Sequence, residues 1–580
     1  MFNRLLIALG ILVYLLSMSI VKMDTGFDYR WIAFWLQIIT VILIFCAYTN
    51  ANFKKSDFKK IFRVNEISPI LIVLILSEFV NFFLLSKYPF VSISDELRDG
   101  GLYAADIVSG TLKNIFAYGS YDGHGLIIPV FTGFFYQVFG SSVLTFRFPA
   151  ALLSSLDIVI LYLLIRLVIN KQTAFWSSLI LLTFPLHIFF AHTQVVVAFN
   201  FFWVPVILLL LYNLLKKHRF IDYVFMGTIL GFVLGFHAAI KGFSGLILMV
   251  ILFINFKDII FTKLREEKTR TRISKVALLL FFILVGFGPR LFFTEPDNFL
   301  LGNSFAFKDK VESNTQLELN DLTTIKDNYI KSLMVYVYEP TSFFYPVNKP
   351  IFPPFMAIFF IIGLSYSVFI LRNKFLNILL FILVVLPFTN STLTDWINAD
   401  HRLSPVLSIS AVFAAIGITF SMKLIKNNYL KYLFGSIIAL FLAWQVIVFY
   451  SDQPANKNYE LKDYLLMQTF YFLQKDKKYS DTRAISQGQH PQVCIFVSPA
   501  NYEYMNHNIG IEEQKRFFLP NGDINFMQEY SAKDNEVYVK KNCSEDTEFN
   551  GFKRALTIPC GSENKYICPL NYNGEIIIHY

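Results

Sequence analysis

The chain alternates long apolar runs with short polar stretches, and the runs set the expected architecture. They fall at Leu5–Val21, Trp31–Tyr48, Ser68–Leu85, Phe148–Val168, Ala174–Phe190, Phe199–Leu215, Tyr223–Phe236, Phe243–Phe256, Val276–Phe293, Ile351–Leu371, Leu376–Phe388, Pro405–Ile425 and Leu433–Tyr450. A membrane span is apolar all round, so helical periodicity does not mark it and length decides: about 20 residues of helix cross roughly 30 Å of hydrocarbon. On that criterion the pattern predicts about thirteen transmembrane helices, with Tyr223–Phe236 and Phe243–Phe256 among the shortest. Leu5–Val21 follows Arg4 in the manner of a signal peptide, but the second run close behind it and the lack of a small-residue cleavage site favour an uncleaved span.

The polar stretches divide the chain further. Past Leu85, Leu102, Ala105, Ile107, Leu112 and Ile115 recur at helical spacing among polar residues and predict an amphipathic helix on the membrane surface. Thr294–Lys349 is rich in Asn, Asp and Tyr and ends in YVYEPTSFFYPVNKPIFPP, a composition that suits a lid or an interfacial segment. Ser451–Tyr580 has the composition of a soluble domain, with strand-like runs at Val493–Val497, Glu536–Val539 and Glu575–Ile578. The expected fold is a mainly α polytopic membrane protein with a small C-terminal α+β extracytoplasmic domain. Its expected parts are 1–67, two N-terminal spans and a basic loop; 68–450, a transmembrane module with outer loops 87–147 and 294–350; and 451–580, the soluble domain.

Composition and charge agree with this reading. With 55% apolar, 17% aromatic and 16% charged residues the chain lies well outside the soluble globular range. Its net charge of +9 does not point to nucleic acid. The Lys and Arg residues fall in clusters between apolar runs, as the positive-inside rule produces, and no interleaving of bases with aromatics of the single-strand-binding kind occurs. Lys54, Lys55, Lys59, Lys60 and Arg63 mark their loop as cytoplasmic. Lys216, Lys217 and Arg219, the cluster from Lys257 to Lys275, Arg372 and Lys374, and Lys423, Lys426 and Lys431 then land on the same side. An odd number of spans exports the tail, so the expected location is the cell (inner) membrane, multi-pass. Cys46 lies in an apolar run, whereas Cys494, Cys543, Cys560 and Cys568 share the polar tail, a set that predicts two disulfides in an oxidising compartment without choosing their pairing.

Candidate chemistry concentrates in Pro89–Pro149, which begins PFVSISDELRDGGLYAAD and ends DGHGLIIPVFTGFFYQVFGSSVLTFRFP. Asp95 and Glu96 stand just outside a membrane run, with the surface helix expected over them. The acidic pair, the Gly-His-Gly with Pro129, and the Arg-Phe-Pro leading into AALLSSLDIVILYLLIRLVI resemble the first outer loop and following helix of polyprenol-phosphate-dependent membrane glycosyltransferases. These are the GT-C fold enzymes, here most similar to the protein O-mannosyltransferase and aminoarabinose-transferase branch, glycosyltransferase family 39 and its bacterial relatives. The resemblance extends over Ser68–Tyr450.

The resemblance implies transfer of a sugar from a polyprenyl-phosphate donor to a protein, lipid or glycan acceptor. That chemistry needs a base for the acceptor hydroxyl, cations for the departing phosphate, and a water-poor cleft open to the bilayer. Asp95 is the expected general base of an inverting displacement, and Glu96 is expected to hold a donor hydroxyl, a metal or a helix N-terminus. Arg402, in NADHRLSPVLSISAVFAAIG, resembles the Arg that opens a late helix of the family and meets the lipid phosphate; a guanidinium grips phosphate oxygens in pairs. His401 precedes it, and Leu403 stands where relatives commonly have an aromatic residue. Lys241, in GFHAAIKGFSG, is a cation placed against the positive-inside trend. His124, in DGHG, is a candidate to orient substrate or bind metal; Gly125 and Leu126 follow where relatives often have a Pro pair. Related enzymes often place an Arg in the short loop that here reads FAHTQVVVAFN, with His192, Thr193 and Gln194. Asp106 reads as a solvated face residue. No Walker loop and no HExxH occurs, which fits a lipid-linked donor; a divalent metal is the one cofactor candidate.

Two other classes compete. A transporter or flippase of lipid-linked sugars is expected to place polar groups or broken helices at mid-membrane and to show internal repeats, whereas here the unusual acids and cations gather in outer loops. A receptor or structural protein working through its tail is the third.

Overall fold

The computed structural model describes residues 2–24, 26–52, 64–85, 103–109, 112–116, 125–139, 143–195, 197–261, 267–293, 322–341, 349–392, 397–455, 492–497, 536–541, 548–549, 552–559 and 575–579. Each predicted apolar run is mainly helical. Hydrocarbon offers no water to the backbone, so a spanning run must close its hydrogen bonds within itself. In chain order the helices are α1 Phe2–Met23, α2 Arg30–Asn52, α3 Val64–Phe82, α4 Tyr103–Ser109, α5 Ile127–Phe139, α6 Val143–Val168, α7 Lys171–Thr183, α8 Pro185–Ala191, α9 Ala198–Lys217, α10 Phe220–Val233, α11 Ala238–Phe261, α12 Glu267–Phe287, α13 Leu322–Met334, α14 Pro354–Tyr366, α15 Lys374–Pro387, α16 Asp400–Leu424 and α17 Asn428–Ala455.

The predicted runs differ in length as helices. Among the described residues ten helices are long and apolar enough to cross a membrane, or eleven if one bent pair is a single span, and Ile67–Phe82, Ile127–Phe139 and Phe220–Val233 are shorter apolar helices. Two boundaries move with consequences for chemistry. The run read as Phe243–Phe256 belongs to α11, which starts at Ala238, so Lys241 lies in a first turn and not in a loop between two short spans. The run read as Pro405–Ile425 belongs to α16, which starts at Asp400, so His401 and Arg402 also lie in a first turn. The surface helix is shorter than expected: α4 ends at Ser109, and Leu112 and Ile115 follow in a turn.

The expected outer loop 294–350 contains α13, docked by side-chain hydrogen bonds. Ser332 Oγ lies 2.8 Å from Ser391 Oγ, and Asn398 Nδ2 donates to Lys331 O at 3.4 Å. Beyond it the backbone of Ile351 and Phe352 donates to Val335 O and Tyr336 O, which pairs the end of this segment with its beginning.

Successive spans carry their basic side chains at one end. Arg166 and Lys171 flank the α6–α7 turn, Lys216, Lys217 and Arg219 the α9–α10 turn, Arg372 and Lys374 the α14–α15 turn, and Lys423 and Lys426 the α16–α17 turn. The other end of the bundle gathers 83–85, 143–147, 192–195, 234–237, 288–293, 388–392 and 397–399. Helix α16 is the axis, with 94% of its spanning window buried, against 22% for α17. Close packing around it uses small residues: a Cβ on Gly363 of α14 would strike Phe413 O, and one on Gly417 of α16 would strike Phe359 O.

The span predicted as Ala174–Phe190 is broken. Pro185 has no N–H and disfavours a helical residue before it, and Phe184 accordingly takes φ −63°, ψ 121°, ending α7 and starting α8 at an angle of 67°. One turn on, His187 Nε2 meets Asp157 Oδ2 of mid-α6 at 3.2 Å, both side chains fully buried. A polar pair and a broken helix therefore do occur inside the bundle, contrary to the sequence reading that placed the unusual polar groups in outer loops.

Beyond α17 the described residues form an antiparallel five-stranded sheet of order β3-β4-β1-β2-β5. The strands are β1 Gln492–Val497, β2 Glu536–Lys541, β3 Glu548–Phe549, β4 Phe552–Pro559 and β5 Glu575–His579. The three predicted strands are β1, β2 and β5. Cys494 lies in β1 opposite Lys540 and Thr557; Cys543, Cys560 and Cys568 lie outside the described residues, and with them the predicted disulfides.

Removing one partner of a buried hydrogen-bonded pair leaves the other polar group unsatisfied, at a cost of about 1–3 kcal/mol. Asp157→Ala and His187→Ala are each expected to lower the unfolding temperature of the detergent-purified protein by several degrees. An apolar double replacement, Asp157→Leu with His187→Phe, should recover most of that loss. Unfolding temperatures unchanged in the single variants would show that the pair does not hold the break.

Candidate functional site

The end of the bundle opposite the basic turns is built from helix starts. The first turns of α11 and α16 lie side by side there, because Asn390 donates from Nδ2 to Ala239 O and to Arg402 O, 3.2 Å in each case. Gly242 leaves room for it: a Cβ there would run into the Asn390 side chain. Each helix start is finished by a local device. His237 Nδ1 accepts from Ala239 N at 3.1 Å, capping α11, which leaves the ring proton on Nε2. In α16, Pro405 has no N–H to give His401 O, and Ser404 Oγ donates to that carbonyl instead at 2.9 Å. Asn200 of α9 in turn donates to Ser404 Oγ at 3.1 Å. Asp400 Oδ1 accepts from His401 N at 2.6 Å and lies 3.5 Å from His401 Nδ1.

Cations line this end. Lys241 and Arg402 are part-exposed, and the His237 and His401 rings meet edge to face at 5.5 Å. Arg290 is 3% exposed and faces Lys241 electrostatically. It sits in a 3-10 turn, Gly288–Phe292, that follows α12; its Nη1 donates to Phe232 O at 3.2 Å, and its guanidinium rests against the Phe232 and Phe287 rings at 5.5 and 5.9 Å. Gly235 makes space for it, since a Cβ there would overlap the guanidinium. Three fixed positive charges near two helix N-termini form a field suited to an anion with several oxygens.

The stretch that carries the predicted acids is tied to the same end at both of its flanks. On one side Gly125 N donates to Gly235 O at 2.9 Å, a backbone approach that a Cβ on Gly125 would block. On the other, the chain leaving α3 is held by Arg147, which donates from Nη1 to Leu85 O at 3.3 Å and is itself 1% exposed. Tyr450 of α17 donates to Val80 O at 2.9 Å, and His192 Nε2 lies 3.1 Å from Phe83 O and from Tyr450 Oη. Burial holds the His192 imidazole down at about 4, so this loop presents a neutral ring at ordinary pH. Gln194 extends the contact, donating to Thr132 Oγ1 of α5 at 2.7 Å.

Of the predicted site residues, Lys241, His401 and Arg402 come together at this end. Asp95, Glu96 and His124 lie outside the described residues. Arg290, His237 and Asn390 were not picked from the sequence. The signal for Arg290 was available: an Arg in GFGPR at the end of an apolar run, on the side that the basic loops do not share. Among the described residues no group of three or more His, Cys, Asp or Glu is placed to hold a metal ion.

Comparison with known proteins gives a family and a set of structural likenesses. Among curated proteins none matches this sequence. Solved structures similar to the chain include the oligosaccharyltransferase of Archaeoglobus fulgidus with a tethered acceptor peptide containing the NVT sequon, at 17% identity over 72% of this chain and 58% of that one, TM-score 0.41. They also include ArnT from Cupriavidus metallidurans in the apo state, at 14% identity over 60% of this chain and 59% of that one, TM-score 0.41. ArnT bound to undecaprenyl phosphate gives 14% identity, 70% and 72% coverage and a TM-score of 0.37. The chain spans less than two thirds of the length of the oligosaccharyltransferase and of apo ArnT. The family described as dolichyl-phosphate-mannose-protein mannosyltransferase matches residues 123–291, a segment that holds Arg147, His237, Lys241 and Arg290 and ends before His401. Residues 123–291 therefore carry the sequence pattern of that family, the protein O-mannosyltransferase-like branch of the GT-C membrane glycosyltransferases that the chain resembles.

Proposed function

We propose that this membrane glycosyltransferase moves a sugar from a polyprenyl-phosphate-linked donor to an acceptor at the outer face of the membrane, with inversion at the anomeric carbon. The observation that supports this most is the meeting of Lys241, Arg290 and Arg402 with the starts of α11 and α16, in a chain whose family name specifies a lipid-phosphate sugar. A leaving phosphate develops charge as the glycosidic bond breaks, and cations held in place by the protein stabilise that charge without reorganising. Arg402 supplies paired donors and Lys241 a point charge, while His401 and His237 fill the space between the two helix starts. Asp95 takes the acceptor proton in this proposal, and Glu96 and His124 orient sugar or metal. They lie on the stretch whose flanks, Leu85 and Gly125, are tied to this end of the bundle.

One observation favours a second reading. The broken helix α7–α8 and the buried Asp157–His187 pair are features of transporters, and a flippase of lipid-linked sugars would use them. Purified protein in detergent, where no second compartment exists, separates the two: sugar transfer there supports the transferase, and its absence beside lipid-sugar translocation in vesicles supports the flippase. The sugar itself would be named by mass spectrometry of glycans and glycolipids from cells lacking the protein.

Replacing Asp95 by Asn keeps size and removes basicity, so turnover is expected to fall by roughly 10² to 10⁴ while donor binding survives. The product should carry the anomeric configuration opposite to that of the donor. Retention, or normal turnover in folded Asp95→Asn, would remove Asp95 from the role. Arg402→Ala should weaken binding of undecaprenyl phosphate more than Arg402→Lys, which keeps the charge and loses the fork; equal, wild-type affinity in both would leave Arg402 as an interfacial anchor. For the sidedness, an impermeant thiol reagent should reach the tail cysteines of intact cells after reduction. Labelling only after the cytoplasmic side is opened would reverse the orientation.

A further inference from the structure

We infer that the N-terminal pair α1 and α2, which lies outside the segment matching the family, is a positioning module for the site and acts through Gln37 on Arg290. The inference rests on the reading of the cation cluster as the seat of the donor phosphate. The place where it acts is the end of α12. There the helix stops at Phe287, Gly288 turns the chain with φ +65°, and the 3-10 turn carrying Arg290 begins. Phe287 O opens that 3-10 turn, but Gly286 O finds no amide three residues on, because residue 289 is Pro and has no N–H. In lipid that deficit must be met from elsewhere.

Gln37 meets it. Its side chain is 1% exposed in α2, and its Nε2 donates to Gly286 O at 3.2 Å and to Phe287 O at 3.4 Å. Gly288 is needed twice over, for its positive φ and because a Cβ would collide with the Gln37 amide. The other side of the turn is gripped by the α1–α2 connection, where Phe27 packs on Phe293 with ring centroids 5.6 Å apart. Gln37 and Phe27 thus hold the two ends of a turn whose centre is Arg290. From that turn the guanidinium reaches Phe232 O and faces Lys241. Gln37 does not itself face the cluster; it sets the direction of a residue that does.

The test is a double-mutant cycle on binding of undecaprenyl phosphate by the purified full chain. Gln37→Leu keeps bulk and removes the donors, and is expected to weaken binding about tenfold, the worth of one or two lost hydrogen bonds relayed to the phosphate. Arg290→Ala should weaken binding at least as much. The double variant should bind no worse than Arg290→Ala alone, because Gln37 has nothing left to act through. Additive losses, or a Gln37→Leu affinity within twofold of wild type, would overturn the inference. If Gln37→Leu does not fold, Phe27→Ala loosens the same turn from its other side and enters the cycle in its place. Hydrogen exchange separates a failure here from a failure of the functional reading. Should wild-type protein not bind undecaprenyl phosphate at all, faster exchange of amides 288–293 in Gln37→Leu still supports the positioning role, and unchanged exchange refutes it.

Discussion

A backbone carbonyl inside hydrocarbon has no water to turn to, and the working end of this bundle is made of places where helices stop. Each stop is answered by a side chain. Ser404 takes the carbonyl that Pro405 abandons, His237 takes the Ala239 amide in the first turn of α11, Gln37 takes two carbonyls at the end of α12, and Asn390 joins Ala239 to Arg402. These answers fix the helix ends in space, and the helix ends carry the cations. The geometry of the cation cluster is a by-product of backbone satisfaction, because the groups that cap the helices and the cations share the same turns.

The electrostatics follow from this scaffold. Like charges brought together in a poorly solvated place repel, and a structure holds them only if their geometry is imposed by neighbours or their repulsion is relieved by a ligand. Arg290 has the first kind of restraint: the Phe232 and Phe287 rings and the Phe232 carbonyl hold it in place against the like charge of Lys241. The arrangement is a preorganised one, in which the cost of assembling the charges is met on folding and not at the moment an anion arrives.

Much of this was legible in the sequence, and the remainder was hidden for physical reasons. Every apolar run became mainly helix, because lipid leaves no other choice. Lys241 was visible as a cation against the positive-inside trend, and Arg402 through its resemblance to the Arg that opens a late helix of the family. Helix starts were misread at both, since the usual stop signals mislead near a membrane surface: Gly242 read as loop because it makes room for Asn390, and Pro405 read as a helix start because Ser404 hides the lost hydrogen bond. The amphipathic pattern from Leu102 to Ile115 had helical spacing, yet α4 stops at Ser109, and periodicity alone does not set length. Gln37 had no signal at all, because a lone amide in an apolar run does not name its partner. Strand β4 was missed because Lys553 and Arg554 break the apolar pattern at its start, while its pairing with β1 is set by partners far away in sequence.

The burial of α16 has a consequence for how this protein can vary. A helix wrapped by protein on nearly all sides meets another side chain or backbone whichever way a residue points, and its run of Ser408, Ser410, Ala411, Ala414, Ala415 and Gly417 is small because neighbouring backbones lie close. Helix α17, with Leu433, Leu440, Trp444 and Ile447 exposed along its length, meets mostly lipid, where one apolar group serves as well as another. Sequence drift among descendants of this chain should therefore be uneven around the bundle, nearly frozen along its axis and free on its rim, so that an alignment would find the site by first finding the helix that cannot change.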